Sequence, residues 1–525
     1  MSVQKISIST LSPVHIGCDE VFEPSNFVIH NELLHALDVN ALSGELSDAE
    51  KAQLIKLTDS RDPIPGLQQF FKRNAKRFAD ISNHQVAVAS GIAQDYEDKM
   101  GRNVQQGTGA PTTYSLFPIA RTAFSPINNA PYLPGSSLKG SIRTAWLNKL
   151  LKQKGNPLTR DDPREKKHKI LQEKLLGYTA GKFENDPFRL VAVSDAHPDA
   201  EMDAPPTRVV YAISKKKSPN QYEPRGLSVF LQTLPEALPA TFLGDIRLGG
   251  NISWLSVCDA CNAFYLPQLE AELSHDVLGP LLDKAWSKTV VGLLRNEFAE
   301  LTKARQGFLL RVGKHSGADS VTVDTLREIK IIGKKPRFES QTTQKRFASL
   351  TKSGANNLLP FGWIWVDACD DEHRHLFDAV RQKLAALSEP LRQAHQDRLF
   401  ALEEQRRQRQ ALVAQKAAEV AADLAAKQVK EAALAAMSPA QRKIEEFKTT
   451  FAAREEQLLG KKEKQHADFH TRAKKLAEEA LASSEWAVDE KRQLADAIAE
   501  WLPKVVEKID KDALKKLKLS SLRGL

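Results

Sequence analysis

The glycines and prolines of this chain stop almost completely at one point. The sequence has 525 residues with 26 Gly and 26 Pro, yet the stretch from Asp371 to the end contains only two glycines and three prolines. Ala, Glu, Lys, Gln, Arg and Leu dominate that stretch, and these residues favour helices. Before it, Gly and Pro separate many short apolar runs, which is typical of strands, helices and long loops. We therefore predict an α+β region to about residue 370, followed by an all-α extension.

The overall composition limits the class of protein. A chain of 525 residues is longer than one core usually serves, so we expect two or three domains. Lys and Arg outnumber Asp and Glu by 75 to 66, and the resulting charge of +9 favours a polyanionic partner without requiring one. Four cysteines are too few for a disulfide framework, and no stretch is apolar enough for export or membrane insertion. We predict a cytoplasmic protein with no membrane partner.

The extension divides into a long helix and a small bundle. "LFALEEQRRQRQALVAQKAAEVAADLAAKQVKEAALAAM" has no helix breaker and is predicted to end near Ser438 and Pro439, where a second helix begins. Its apolar face is mostly Ala, which is too small for a tight coiled coil, so we predict a solvated spacer. Residues 397–525 carry 26 Lys and Arg against 22 Asp and Glu. This balance favours a solvated helical surface over a dedicated RNA-binding tail.

Short apolar runs predict the elements of the first region. Strands are predicted in "VQKISISTLSPVHIG", "DPFRLVAVSDAHP", "PTRVVYAISKKK" and "LLPFGWIWVDA", and a helix in "SWLSVCDACNAFYLPQLEAEL". "QGFLLRVGKHSGADSV" predicts a strand followed by a glycine-containing loop. These elements indicate two small sheet-and-helix units in tandem.

The segment "PYLPGSSLKGSIRTAW" predicts a turn that leads directly into a helix. Backbone N–H groups of Gly135, Ser136 and Ser137 would lie at the helix start, where free donors and the helix dipole attract anions. Lys139 and Arg143 add positive charge there, so a phosphate backbone is a natural ligand. From this stretch alone, an ordinary loop with solvated cations is the favoured alternative.

The segment "RVGKHSGAD" is the second candidate for phosphate binding. Gly313 and Gly317 allow close approach of the backbone to a phosphate, while Arg311, Lys314 and His315 supply charge and stacking capacity. The segment lacks the ending and spacing of a Walker A loop. A tight hairpin is an equally good interpretation.

Evidence for catalysis or a metal is weak. His15 in "SPVHIG" ends a predicted strand, where a general base can stand, but a lone histidine is more often structural or a binding residue. Cys258 and Cys261 form one CxxC without further zinc ligands, and buried thiols are the better interpretation. Signatures of zinc proteases, serine hydrolases and dinucleotide-binding enzymes are missing from the sequence. We predict no catalytic residue, no metal and no cofactor.

Six segments in order resemble the RAMP superfamily of CRISPR-associated proteins, and within it the fifth subunits of type III-A Csm effector complexes. They are "LSPVHIG", "PYLPGSSLKGSIRTAW", "DPFRLVAVSDA", "SVCDACNAFY", "LLRVGKHSGADS" and "LPFGWIWVDA". The resemblance covers roughly residues 1–370. It implies two tandem RRM-like (ferredoxin-like) domains, at 1–245 with helical insertions and at 246–370, with residues 371–525 as an added helical extension.

The resemblance also implies a function. A member of this family is expected to be a non-catalytic subunit that binds crRNA, caps the filament at the crRNA 3′ region and supports crRNA maturation in antiviral defence. Its expected partners are crRNA, target RNA, other Csm subunits and host ribonucleases. In such proteins Lys139 and the loop from Gly313 to Gly317 would lie near RNA, and His15 would be an RNA contact.

Two alternatives remain open at this point. The first is a RAMP endoribonuclease that cuts crRNA or target RNA, with His15, Asp19 or Asp195 as the reactive group. The second is an assembly scaffold whose helical extension recruits a nuclease or a neighbouring subunit. Loss of cleavage with binding intact in His15→Ala would favour the first, and unchanged assembly and guide length after deletion of 371–525 would exclude the second.

Overall fold

The computed structural model describes residues 2–23, 25–60, 63–100, 103–104, 113–114, 117–179, 181–199, 203–218, 229–331, 337–368 and 370–524. Cys369 therefore lies outside the described residues. The chain forms two compact units, Met1–Gln405 and Arg406–Leu525. Within the described residues, no helix is both long enough and apolar enough to cross a membrane.

The strands of the described residues all lie in the first unit. In chain order they are β1 (Ser2–Thr10), β2 (Gly17–Phe22), β3 (Phe27–His30), β4 (Leu33–Ala36), β5 (His84–Val88), β6 (Asn103–Val104), β7 (Thr113–Tyr114), β8 (Ile119–Thr122), β9 (Ala192–Val193), β10 (His197–Pro198), β11 (Arg208–Lys216), β12 (Phe230–Thr233), β13 (Phe242–Leu248), β14 (Gly307–Arg311), β15 (Ile329–Ile331), β16 (Arg337–Glu339), β17 (Gln344–Ser349), β18 (Leu359–Pro360) and β19 (Trp363–Asp367).

The helices occur in both units. In chain order they are α1 (Val39–Glu45), α2 (Asp48–Thr58), α3 (Pro63–Arg73), α4 (Ala75–Ile81), α5 (Ser90–Lys99), α6 (Gly135–Lys154), α7 (Lys167–Leu176), α8 (Trp254–Leu273), α9 (Lys284–Arg295), α10 (Glu297–Lys303), α11 (Ala318–Val321), α12 (Arg374–Ala436), α13 (Pro439–Leu458), α14 (Asp468–Ala482), α15 (Val488–Val505), α16 (Lys511–Lys516) and α17 (Leu519–Leu522).

The first sheet is antiparallel, with strand order β10-β13-β1-β19-β14 and β9 beside β13. Helix α8 packs on it because the Asn262 side chain donates to the carbonyl of Gly307 and accepts from the N–H of Leu309. The Tyr265 hydroxyl donates to the carbonyl of Ser141 at 3.0 Å and joins α8 to α6. An antiparallel sheet with helices packed against it is the ferredoxin-like arrangement, which confirms the predicted fold class.

The second sheet is larger and mixed. Its order is β2-β8-β12-β11-β5-β4-β3, with β17 added along β11 and β18 along β17. Strand β11 pairs antiparallel with β12 over Arg208–Tyr211 and with β17 over Tyr211–Lys216. Both sheets therefore take strands from both predicted domains, 1–245 and 246–370. Those limits stay a prediction.

One hydrophobic core joins the two sheets. It contains Ile8 and Trp363 from the first sheet together with Leu231 and Phe347 from the second, all fully buried. The Trp365 ring stacks on Phe298 with a centroid distance of 3.9 Å. Cys258 and Cys261 are also fully buried in this core, which confirms the interpretation of this pair as buried thiols. Burial raises the pKa of both thiols, so they are protonated at neutral pH.

Most of the predicted elements of the first region are confirmed. The exception is "DPFRLVAVSDAHP", for which a single strand is wrong. Asp186 accepts from the N–H of Phe188 and starts a short 3-10 helix, Pro187–Leu190, before the two-residue strands β9 and β10. A local side-chain cap here replaces the ladder that the apolar run predicts.

The long helix is confirmed, with an earlier start than the predicted segment. Phe377, Val380 and Leu384 near the start of α12 are buried in the core of the first unit. Residues 406–436 are exposed throughout, as a solvated spacer requires. The helix ends where expected, and Ser438 then forms a capping box with Gln441 at the start of α13.

Helices α13 to α17 form the predicted small bundle. Its core is separate from that of the first unit and includes Ile444, Phe451, Leu494, Ile498 and Leu502. The amphipathic spacing of these residues on α13 and α15 buries one stripe of each helix. The extension therefore has enough buried apolar surface for a compact unit.

Candidate nucleic-acid interface

The loop after β14 is held against the loop after β1. Gly313 has a φ of 78°, and a Cβ at this position would collide with the carbonyl oxygen of His15. That carbonyl accepts from the N–H of Lys314 at 2.8 Å. Only glycine combines this left-handed conformation with so close an approach, so "SPVHIG" and "RVGKHSG" form one structural element.

His15 contributes to this element through its backbone. Its side chain is fully buried, and Nδ1 lies 2.7 Å from the carbonyl oxygen of Gln232. Because a carbonyl can only accept, Nδ1 carries the proton. Burial lowers the pKa of His15, aided by the charge of Lys314, against the opposing effect of the Gln232 hydrogen bond. This burial argues against the predicted direct contact between the ring and RNA.

Arg311, at the base of the loop, belongs to a buried charged cluster. Its guanidinium lies 3.3 Å from the carboxylate of Glu272, and its Nε donates to the carbonyl of Phe361 at 2.9 Å. Lys345 and the indole N–H of Trp363 also bond Glu272, at 3.0 and 2.8 Å. Arg311 is only 3% exposed, so its role in this structure is to fix the loop from below.

The charge state of Glu272 follows from this cluster. Complete burial opposes ionisation, but the charges of Arg311 and Lys345 and the hydrogen bonds from Trp363 and Lys345 outweigh it. The pKa of Glu272 falls to about 2. One buried carboxylate thus faces two cations, which leaves a positive excess directly beneath the loop.

The pairing of β11 with β17 concentrates further cations beside the loop. Lys215 lies opposite Lys345, Ser214 opposite Arg346 and Lys216 opposite Gln344. Like charges that face each other across strands are destabilising unless a counter-charge is present. Glu272 is the counter-charge of Lys345, and Asp319 is the counter-charge of Lys217 at 3.5 Å.

A cavity of ≈ 380 Å³ opens between the loop and these strands. We call it the basic pocket and define it by Lys216, His315, Gly317, Lys330, Lys345 and Arg346 among its lining residues. None of the described residues that line it is Asp or Glu. Arg311 also lines the pocket, so five cations face a space large enough for part of a nucleotide chain.

His315 lines the basic pocket as an uncharged side chain. Its φ is 70°, and its ring lies 5.4 Å from that of Phe361. Burial and the nearby charges of Arg346, Lys314 and His15 lower its pKa to about 3. The adjoining Lys314 and Gly317 are exposed, and Ser316 closes the turn by donating to the carbonyl of Gly313.

The predicted anion-binding site at the start of α6 is occupied by a carboxylate of the protein itself. The N–H of Gly135 donates to Asp195 at 2.7 Å, and a Cβ on Gly135 would collide with the carbonyl of Val193. Ser136 is exposed, whereas the N–H of Ser137 bonds the carbonyl of Pro134 at 3.0 Å. The N–H of Gly135 is therefore used to cap helix α6 with Asp195.

The two cations of α6 have different surroundings. Arg143 pairs with the buried Asp186 at 2.8 Å and packs over the rings of Tyr178 and Phe188. Lys139 is half-buried and has no ion pair or side-chain hydrogen bond within the described part of the chain. Lys139 therefore remains the available cation of the predicted pair, and an RNA contact by Arg143 stays a prediction.

The start of α6 and the glycine loop belong to one region of the molecule. The hydroxyl of Ser141 donates to the carbonyl of Arg311 at 2.9 Å. This contact brings together the two segments that sequence reasoning selected separately. It places "GSSLKG" and "RVGKHSG" on adjoining elements of the first unit.

Sequence reasoning missed several residues of the basic pocket. Lys216 is the middle of three consecutive lysines at the end of β11, and Lys345 and Arg346 lie in "QKR" of β17. Both runs place cations in otherwise apolar strands, and this pattern was the signal in the sequence that could have indicated a basic site. That the two strands pair, and that Lys330 joins them, depends on contacts distant in sequence.

Parts of this chain are similar in sequence to known proteins. Residues 117–256 match the RAMP superfamily. The protein from Streptococcus thermophilus named CRISPR system Cms protein Csm5 is 28% identical over 200 residues, which are 37% of this chain and 51% of that protein. The protein of the same name from Methanocaldococcus jannaschii is 27% identical over 146 residues, 27% of this chain and 30% of the relative. The chain thus spans about half or less of these relatives.

Two solved structures are also similar. One is a chain of a Csm-crRNA-target RNA ternary complex in a type III-A CRISPR-Cas system, with 16% identity, a TM-score of 0.37 and coverage of 70% of this chain and 100% of that one. The other is T. onnurineus Csm5, with 17% identity, a TM-score of 0.34 and coverage of 69% and 99%. On the sequence matches, residues 117–256 of this chain match the RAMP superfamily, and parts of the chain are similar to the Csm5 proteins of CRISPR systems.

Proposed function

We propose that this chain is a non-catalytic crRNA-binding subunit of a type III-A Csm effector complex. It caps the filament at the crRNA 3′ region and supports crRNA maturation. Its partners in this proposal are crRNA, target RNA and other Csm subunits in the cytoplasm, with host ribonucleases as transient partners. The Csm5 names of its relatives support the complex, and the basic pocket supports the RNA.

The basic pocket is the observation that carries the proposal. Its lysines and arginine contact phosphates without reading bases, and the glycine loop allows the backbone to approach the same phosphates. A guide-binding subunit needs this tolerance because the spacer sequence changes from one guide to the next. The buried Glu272 holds Arg311 and Lys345 in place without lining the pocket.

The surroundings of the candidate reactive groups support a binding role over cleavage. His15 is fully buried with Nδ1 bonded to a carbonyl, and Asp195 is bonded to the N–H of Gly135. Asp19 is exposed on the strand β2 with a φ of 60°. A general base needs hydrogen-bond reach to its substrate, which the burial of His15 opposes.

The experiment is to purify the effector complex through this chain and sequence its RNA with 3′ ends mapped. The test variant combines Lys216→Glu, Lys330→Glu and Arg346→Glu, which reverse three cations of the basic pocket. The control combines Lys284→Glu, Lys288→Glu and Arg295→Glu on the exposed side of α9, with the same change in net charge.

We expect the wild type and the control to retain repeat-spacer guides, and the pocket variant to lose or shorten their 3′ portion. Equal guide content and 3′ ends in all three proteins would contradict the RNA role of the pocket. RNA trimming by the isolated wild type that disappears in His15→Ala would contradict the non-catalytic assignment and favour the endoribonuclease.

A further inference from the structure

A second concentration of lysines lies in the helical extension, outside the site described above. The segment after α13 runs beside the segment after α15 through a parallel bridge between Glu463 and Val506. The N–H of Glu463 donates to the carbonyl of Val505, and the N–H of Glu507 donates to the carbonyl of Glu463, both at 2.8 Å. Two lysine-rich segments are thereby fixed side by side.

We define the lysine edge as Lys461, Lys462, Lys464, Lys504 and Lys508. Lys461, Lys462, Lys464 and Lys508 are exposed, and Lys504 is half-buried with Nζ 3.9 Å from the centre of the Trp501 ring. The ammonium of Lys462 donates to the carbonyl of Pro503 at 2.6 Å, which ties the first segment to the second. The edge is therefore a fixed array of cations on a folded scaffold.

The nearby carboxylates are already engaged. Glu463 pairs with Arg454 at 2.7 Å and is 13% exposed, while Asp510 accepts from the N–H of Ala513 as the cap of α16. Glu500 pairs with Lys504 at 3.1 Å, and Glu507 is half-buried. Within the described part of the chain, Lys461, Lys464 and Lys508 have no carboxylate partner.

The lysine edge differs from the paired cations of the bundle because its lysines lie on two segments that are bonded side by side. Several other exposed cations pair with acids of the bundle, as Lys443 does with Glu479 and Arg472 with Asp468. Such pairs satisfy both charges and leave little attraction for a partner. Three unpaired lysines held on adjoining segments instead favour a ligand with closely spaced negative charges.

We propose that the lysine edge binds the backbone of single-stranded nucleic acid, independently of the basic pocket. Exposed lysine ammonium groups on flexible stems suit phosphates as point charges and give binding without sequence preference. The edge would add a second, salt-sensitive contact for an RNA strand. This assignment does not depend on membership of an effector complex.

The test measures binding of fluorescein-labelled U30 RNA to the full chain by anisotropy, at salt concentrations from 50 to 300 mM. The variant combines Lys461→Glu, Lys464→Glu and Lys508→Glu. The matched control combines Lys443→Glu, Lys474→Glu and Arg492→Glu, which carry the same charge change on paired cations of the same bundle. Thermal melting by circular dichroism checks that both variants fold.

We expect the lysine-edge variant to bind U30 about tenfold more weakly at 50 mM salt, with the slope of log K against log salt reduced by roughly 2 units for three lost contacts. The control should change both quantities much less. Equal losses in the two variants, or no loss in the lysine-edge variant, would overturn the proposal. If the reversed charges unfold the bundle, the triple variant Lys461→Gln, Lys464→Gln and Lys508→Gln is compared with the matched control for U30 affinity and salt slope instead.

A competition experiment separates nucleic acid from an acidic protein partner. Unlabelled U30 should displace the labelled RNA from a chain whose basic pocket carries Lys216→Glu, Lys330→Glu and Arg346→Glu. Poly-glutamate of matched charge should displace it at least tenfold less well. Equal displacement would show a general polyacid surface and overturn the nucleic-acid assignment. Unchanged binding of U30 by the basic-pocket variant, together with weaker binding by the lysine-edge variant, would contradict only the function proposed above.

Discussion

Replacement of Glu272 by Gln tests whether the buried charged cluster holds the floor of the basic pocket. The substitution keeps the shape of the side chain but leaves the cations of Arg311 and Lys345 without a buried counter-charge. Breaking a buried ion pair by removing one partner costs about 3–5 kcal/mol. We expect Glu272→Gln to lower the free energy of unfolding of the first unit by about this amount at pH 7.

The pH dependence gives a second measure of the same interaction. The pKa of Glu272 falls from 4.5 to about 2 in the folded chain, and each unit corresponds to about 1.4 kcal/mol. Because the folded pKa lies below the unfolded value, the stabilisation of about 3 kcal/mol is complete above pH 4.5 and is lost as the pH falls toward 2. In Glu272→Gln this component of the acid dependence should be missing.

The assay is urea unfolding followed by tryptophan fluorescence, at pH 7 and at pH 3. Trp363 contacts Glu272 directly and therefore reports on the cluster. Glu270→Gln is the matched control, because Glu270 is exposed on the same helix, and it should change the free energy of unfolding by less than about 0.5 kcal/mol. A loss of less than about 1 kcal/mol in Glu272→Gln at pH 7 would refute the reasoning.

Three further predictions concern the loop, its histidine and the extension. Gly313→Ala should destabilise the first unit by about 1–3 kcal/mol and weaken binding of U30 RNA, because a Cβ there meets the carbonyl of His15 and the φ is positive. Gly292→Ala inside α9, with open space around it, is the control and should lower neither stability nor RNA binding. The pKa of His315 is about 3, so this residue stays neutral and its charge should not change RNA affinity between pH 5 and 8. A change of RNA affinity with a midpoint near pH 6.5 in the wild type that is missing in His315→Gln would contradict this. Deletion of 406–525 should leave the first unit folded and its guide RNA retained in the purified complex, and loss of guide RNA or of neighbouring subunits would favour the scaffold alternative.

The local features of the fold were predictable from the sequence. The composition change near residue 370, the breaker-free run before Ser438 and the turn before Gly135 are signals within a few residues, and each appears where predicted. The predicted strand at "DPFRLVAVSDAHP" failed because Asp186 caps a short helix there. Apolar runs do not reveal such a cap.

The roles of individual cations were much less predictable. Arg143 and Arg311 both stand in segments that suggest phosphate binding, yet their partners, Asp186 and Glu272, lie 43 and 39 residues away in sequence. The basic pocket depends on the pairing of β11 with β17, more than 120 residues apart. Charge and spacing in one segment predict that a cation is present, whereas only the tertiary contacts decide whether it is available to a ligand.

The position of β1 in the first sheet has a consequence for how the protein is made. β1 lies between β13 and β19, and the buried hydroxyl of Ser7 donates to Asp367 at 2.6 Å. During synthesis, β1 therefore leaves the ribosome about 360 residues before its partner strand β19. At roughly 5–20 residues per second, that delay is on the order of 20–70 s. During this interval the apolar residues of β1 have no complete sheet to join, and β13 is the earlier of its two partner strands in the sequence.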